Sequence, residues 1–203
     1  MGKSLFIVFE GGEGSGKTTQ AKGLANRLRK LGFPVVLTHE PGGTLLGNRL
    51  RRWVKWGRGV TVQTELFLFF ASRSQLVNKV INPALEKGQF IICDRYEAST
   101  FAYQGYGRGM DLDFLKMVNT FVTDGRSPDL TVLLDISAEQ GLERKKMKMD
   151  VFEREGFLFH QRVREGYLKM AAADPERWMV VDATLREDKI QDIVWEQVQK
   201  SLG

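Results

Sequence analysis

The chain has 203 residues, of which 42% are hydrophobic and 27% charged, and carries a formal net charge of +5 at pH 7. That length suffices for one well-buried core, and the composition excludes a disordered chain and any apolar stretch long enough to span a bilayer. A single cysteine, Cys93, excludes an internal disulfide, and His39 and His160 lack Cys or His partners at ligand spacing, which speaks against a zinc site.

The run Leu5-Phe6-Ile7-Val8-Phe9 predicts a buried parallel strand. It begins almost at the N-terminus, so no signal peptide is expected, and a lone cysteine suits a reducing cytoplasm. From Lys17 to Leu31 the apolar residues Ala21, Leu24, Ala25, Leu28 and Leu31 recur at helical spacing. Between strand and helix lies Gly-x-x-x-x-Gly-Lys-Thr, from Gly11 to Thr18. Gly11, Gly14 and Gly16 let the backbone N–H groups of Gly11, Gly12, Glu13, Gly14, Ser15 and Gly16 turn inward around an anion, and the positive end of the following helix adds to the attraction. In such a loop Lys17 reaches the β- and γ-phosphates of a nucleoside triphosphate and Thr18 offers its hydroxyl to Mg²⁺.

Further β-rich runs follow at 34–38, 90–93, 130–134 and 178–181, separated by helical patterns. This alternation predicts an α/β fold with a parallel sheet covered on both faces and ligands at the carboxyl ends of its strands. Chemistry-bearing residues stand at those ends: the phosphate loop, then Glu40-Pro41-Gly42-Gly43-Thr44, Asp94-Arg95-Tyr96 and Asp135. The stretch 64–85 contains Leu66-Phe67-Leu68-Phe69-Phe70, and its length favours a helix. Either one face of that helix packs on the sheet while another meets a ligand or a second subunit, or the helix is wholly internal. The last helix, about Arg186 to Leu202, has Ile190, Ile193, Val194 and Val198 on one stripe for packing. No glycine, proline or serine tract marks a linker, so a single domain over 1–203 is expected. Basic residues gather in two short clusters, Arg49–Arg58 and Arg144–Lys148, without the regularly interleaved aromatics of a single-strand platform, so neither nucleic acid nor a membrane is an expected partner.

Taken in order, Gly11–Thr18, Glu40-Pro41-Gly42-Gly43-Thr44, Phe70-Ala71-Ser72-Arg73, Asp94-Arg95-Tyr96 and Ala102-Tyr103-Gln104-Gly105 resemble the thymidylate kinase family. The likeness runs from Leu5 through Asp182-Ala183-Thr184. It implies a P-loop NTPase fold with a five-stranded parallel sheet in the order 2-3-1-4-5, a short lid at about 141–155, transfer from ATP and Mg²⁺ to dTMP, and a homodimer. It also implies roles. Arg95 would grip the acceptor phosphate, for which its planar fork is suited, with a salt bridge to an acid such as Asp94 as the alternative. Asp94 would hold Mg²⁺ with Thr18; Asp135, which also ends a strand, is the rival and could instead cap a helix.

The same resemblance places Phe70 against the base and Arg73 near the base edge and phosphate, three residues apart on one helix face. Ser99 and Gln104 would hydrogen-bond the pyrimidine, Tyr103 would crowd the sugar, and Arg51 would approach the acceptor phosphate. Glu13 matches an acid that contacts the sugar 3′-hydroxyl or organises the cations. The lid departs from the family: Arg144 matches a family arginine, but Lys145, Lys146 and Lys148 stand where further arginines are common, and Val151 replaces another. Arg144 and Lys148 are expected to share the lid role. His39 stands where the family often has arginine. Another nucleoside monophosphate kinase or a deoxynucleoside kinase is the nearest alternative, and a P-loop ATPase that switches a partner is a more distant one.

Overall fold

The computed structural model describes residues 4–56, 59–145 and 156–202. Five parallel strands, β1 (Phe6–Glu10), β2 (Val35–His39), β3 (Phe90–Asp94), β4 (Leu130–Asp135) and β5 (Trp178–Asp182), form one sheet in the order β2-β3-β1-β4-β5, as expected. Phe6 pairs with Ile91 and Ile7 with Leu130, so the three apolar strands β3, β1 and β4 occupy the middle. The edge strands are only partly buried, with Val180 of β5 52% exposed. β1 reaches one residue beyond the apolar run, which makes the buried Glu10 its last residue.

Nine α-helices are seen among the described residues: α1 (Lys17–Lys30), α2 (Leu45–Trp56), α3 (Val62–Leu76), α4 (Asn82–Glu86), α5 (Glu97–Thr100), α6 (Leu112–Thr123), α7 (Ala138–Arg144), α8 (Phe157–Ala173) and α9 (Glu187–Leu202). Helices α1 and α9 cover one face of the sheet, where Ala21, Leu24, Ala25 and Leu28 meet Ile7, Phe9, Ile190, Val194 and Val198. Leu31 does not join that stripe; it ends the helix and is exposed. Helix α8 packs on another part of the sheet through Val163 and Tyr167.

The stretch 64–85 is helical but not one regular helix. Helix α3 begins at Val62, N-capped by the Thr61 side chain, and passes through a π-helical turn at Val77–Ile81 into α4. Pro83 explains the widening: it has no N–H to donate, and its ring crowds the carbonyl four residues earlier, at Lys79 inside the turn. Of the apolar run on α3, Leu66 and Phe70 are buried and Phe67 is exposed. A second π-helical turn, Phe101–Gly107, follows α5 and packs closely on α8, where a Cβ on Gly107 would lie 2.6 Å from Phe159.

Candidate active site

The loop after β1 is shaped by close approach. Gly14 has φ 68°, and a Cβ there would lie 2.1 Å from the carbonyl oxygen of Gly141, while a Cβ on Gly141 would lie 2.3 Å from that of Glu13. The loop therefore rests directly on the backbone of α7. Lys17, the first residue of α1, donates through Nζ to Gly11 O (3.0 Å), Gly12 O (2.6 Å) and Ser15 Oγ (3.1 Å). Burial lowers its pKa to about 8, with Arg95 pushing the same way and Glu13 and Asp94 opposing. Thr18 Oγ1 donates to Asp94 Oδ2 across the gap between α1 and β3. These residues line one side of a cavity of about 820 Å³.

Arg95 lines the same cavity from the end of β3, with its backbone in the left-handed region at φ 70°. That conformation is uncommon for a residue with a side chain and costs about 1 kcal/mol or more, so it persists only where neighbours hold it. They do: Arg95 N donates to Phe9 O, and Cys93 Sγ, buried in the core, donates to Arg95 O. The guanidinium donates to Glu13 Oε1 at 2.7 Å and reaches Gly11 O, Ser99 Oγ and Tyr103 OH only at 3.3–3.4 Å. Its partner is therefore Glu13 rather than Asp94. Glu13 also accepts from Tyr103 OH at 2.7 Å and from Lys145 Nζ. Burial would raise the Glu13 pKa, but Arg95, Lys17 and Lys145 outweigh it and hold the carboxyl well below its usual range. Glu13 thus gathers cations at the mouth of the loop.

Beneath Arg95 lies Glu10, which the sequence did not single out. Fully buried, it accepts from Tyr96 N (2.8 Å), Ser99 N (3.1 Å), Ser99 Oγ (2.7 Å) and Tyr167 OH (2.9 Å). Its carboxylate caps the N-terminus of α5 and fixes the turn that carries Arg95. Desolvation raises its pKa despite Arg95 and these hydrogen bonds.

The opposite wall is built around Arg73. Only 2% exposed, it donates to Glu40 Oε2 (2.8 Å), Asn119 Oδ1 (2.9 Å), Tyr96 O (3.2 Å) and Thr100 Oγ1 (2.9 Å), which occupies four of its five N–H donors. Glu40 follows β2 and enters a cis peptide with Pro41; burial pushes its carboxyl up to about 7, against the pull of Arg73. Glu40 Oε1 and Thr38 Oγ1 are buried on the cavity wall without a protein partner. Ser99, Tyr103, Gln104 and Arg51 all line the cavity, and Arg51 donates to Pro41 O at 2.9 Å.

The structure places two of the residues considered for the site, Phe70 and Asp135, outside the cavity. Phe70 packs with Leu66 and Leu115 in the core between α3 and α6, and its neighbour Phe69 lines the cavity instead. Residues three and four before Arg73 share its helix face equally well, so spacing alone could not separate the two. Asp135, the rival metal ligand, is bound bidentately by Arg164 at 2.8 Å for both contacts, away from the cavity. Of the lid residues, Arg144 lines the cavity and donates to Ala183 O at 2.8 Å, while Lys148 and the rest of 146–155 lie outside the described residues. Lys145, to which the sequence assigned no separate role, lines the cavity too.

The described residues contain no group of three or more His, Cys, Asp or Glu side chains that could hold a metal, and no helix long and apolar enough to cross a membrane. Thr18 and Asp94 nevertheless fit Mg²⁺, which takes one or two protein oxygens and completes its shell with substrate phosphates and water. A parallel sheet in this order, with a glycine loop leading from its central strand into a helix headed by Lys17 and Thr18, defines a P-loop phosphotransferase. Residues 9–194 match the family model described as Thymidylate kinase. Thymidylate kinase of Dehalococcoides mccartyi strain 195 is 50% identical over 98% of this chain and 98% of its own, and that of Deinococcus radiodurans is 46% identical over the same shares. The crystal structure of thymidylate kinase from Ehrlichia chaffeensis superposes with a TM-score of 0.80 at 34% identity, covering 97% of this chain and 99% of that one. The chain belongs to the thymidylate kinase family and is a phosphotransferase acting on dTMP.

Proposed function

We propose that the phosphoryl donor is ATP with Mg²⁺ and that the γ-phosphoryl group passes in line, without a phosphoenzyme, to the phosphate of dTMP. One observation carries this reading: Arg95 and the phosphate loop line a single cavity, linked through Glu13. A phosphate monoester has its second pKa at about 6 and is largely dianionic at neutral pH, so no base is needed to prepare the acceptor. The work left to the protein is to bring two anions together, align them and offset the charge of the transferring group.

Lys17 and the loop N–H groups from Gly11 to Gly16 bind the donor phosphates, and Thr18 and Asp94 hold Mg²⁺. Held there by Thr18 and Asp94, Mg²⁺ would supply positive charge that offsets the charge of the phosphates. Arg95 grips the acceptor phosphate with its fork, and Glu13 keeps that fork turned toward the loop. Arg51 stands on the acceptor side, Phe69 lies against the base, and Ser99, Gln104 and the remaining donor of Arg73 face its polar edge, with Tyr103 beside the sugar. Arg144 and Lys148 share the lid's task of offsetting charge on the transferring group, and the ion pair between Lys145 and Glu13 ties the end of α7 to the loop. A single domain over 1–203, with a lid at about 141–155, frames the site.

The protein works as a homodimer. Helices α3 and α6 pack together and leave Phe67, Met117 and Phe121, the last 86% exposed, on the outside, an apolar face that suits a second copy of the chain. A lone buried thiol, Cys93, suits the cytoplasm. The test is ADP release from ATP and Mg²⁺ with each nucleoside monophosphate offered separately. Release should require dTMP and Mg²⁺; rapid release without an acceptor, or a preference for a purine monophosphate, would sink the reading.

A further inference from the structure

Gln104, 1% exposed on the π-helical turn, presents its amide to the cavity wall, and its orientation is not open. Nε2 donates to Glu65 Oε1 at 3.4 Å, and the same oxygen accepts from Arg108 Nη1 at 2.6 Å. Glu65 lies in the first turn of α3 and is itself 6% exposed. A carboxylate paired with a guanidinium accepts hydrogen bonds and cannot donate them, so only the NH₂ end of Gln104 can face it. This holds whichever way the amide is drawn, since the reverse orientation would set two acceptor oxygens against each other. Gln104 Oε1 is left for the cavity. At that point the wall offers an acceptor, and a ligand must bring a donor.

We propose that Glu65, anchored by Arg108, is a positioning residue that sets the hydrogen-bonding polarity of the base pocket through Gln104. It favours a pyrimidine that carries N3–H and rejects cytosine, whose N3 is an acceptor. The inference rests on the reading of this cavity as the dTMP site. Thymine and uracil are alike at N3, so the device selects against dCMP and leaves the 5-methyl group to other contacts. Rejection follows because a cytosine ring would bury two acceptors facing each other with neither satisfied.

The test is steady-state kinetics with dTMP and dCMP as acceptors for the wild type, Glu65→Gln, Gln104→Ala and the double variant. In Glu65→Gln the amide at position 65 can donate as well as accept, so Gln104 is released to turn. KM for dTMP should rise about tenfold with little change in kcat, and the dTMP:dCMP ratio of kcat/KM should narrow by about ten- to a hundredfold. In the Gln104→Ala background the same substitution should move that ratio by less than about twofold, because Glu65 acts only through Gln104. Should a stranded Arg108 impair folding, Glu65→Gln with Arg108→Met removes both charges together and should narrow the ratio equally. A Glu65→Gln enzyme that keeps the wild-type preference, or one whose ratio shifts equally with and without Gln104, overturns this inference alone. A wild type with no preference for dTMP over dCMP overturns the reading of the cavity and this inference with it.

Discussion

Arg73 and Arg95 line the same cavity and are held in opposite ways. Arg73 is buried and gives four donors to Glu40, Asn119, Tyr96 and Thr100, all between 2.8 and 3.2 Å. Arg95 is 19% exposed, makes one short contact to a Glu13 carboxylate already shared with Tyr103 and Lys145, and reaches its other partners at 3.3 Å or more. The first arginine is fixed in the wall, with one donor left over; the second is aimed by its neighbours but keeps donor capacity for an incoming anion. Both guanidiniums have four partners, so what separates a structural role from a functional one here is that the contacts of Arg73 are short and those of Arg95 are long or shared.

The largest test of this contrast is Arg95→Ala, which should lower kcat for dTMP by about 10³-fold or more with little loss of thermal stability, whereas Arg95→Lys should recover only part because a lysine lacks the fork. Equal losses of melting temperature for Arg95→Ala and Arg73→Ala would break the distinction. Arg73→Ala strands Glu40 in the interior and should cost about 3–5 kcal/mol, a fall of about 10 °C in Tm by calorimetry. Phe70→Ala should likewise cost about 3 kcal/mol of stability, while Phe69→Ala should spare stability and raise KM for dTMP about tenfold.

Lys17 gives the comparison a pH axis. A lysine with a lowered pKa loses its charge at a lower pH than an ordinary one, so kcat/KM for ATP should be level below pH 8 and fall about tenfold per unit above it. Saturating ATP should flatten the profile, since bound phosphate favours the charged form. The smallest effect belongs to Asp135→Asn, which alters a partly exposed pair with Arg164 and should change stability by about 1 kcal/mol or less and kcat hardly at all.

The parallel strands, the phosphate loop and the strand ends that carry Asp94 and Arg95 were legible in the sequence, because each follows from a run of apolar residues closed by glycine or charge, whereas the strand order came only from the family resemblance. What escaped was decided by side-chain direction. Phe69 and Phe70 obey the same helical spacing relative to Arg73, and only the packing of Leu66 and Leu115 chooses between them. Glu10 reads as part of the loop until β1 is extended by one residue, which turns its carboxylate inward to Tyr96 and Ser99. Lys145 stood in the basic run, but its distance from Glu13 depends on how α7 ends. Glu65 and Gln104 lie 39 residues apart, and no local pattern links them.

The contact between Gly14 and Gly141 bears on how this site can evolve. Gly141 occupies the space a side chain at Gly14 would need, the Glu13 carbonyl just before Gly14 occupies the space one at Gly141 would need, and Gly14 also requires its left-handed backbone. A methyl group at 141 would pry α7 away from the loop; once that gap is open, a second change nearby meets less resistance than it would in the intact protein. The two positions therefore form an epistatic pair, in which the first step carries most of the loss. A lineage altering the lid helix at this point must cross that step before any gain in the lid can be selected.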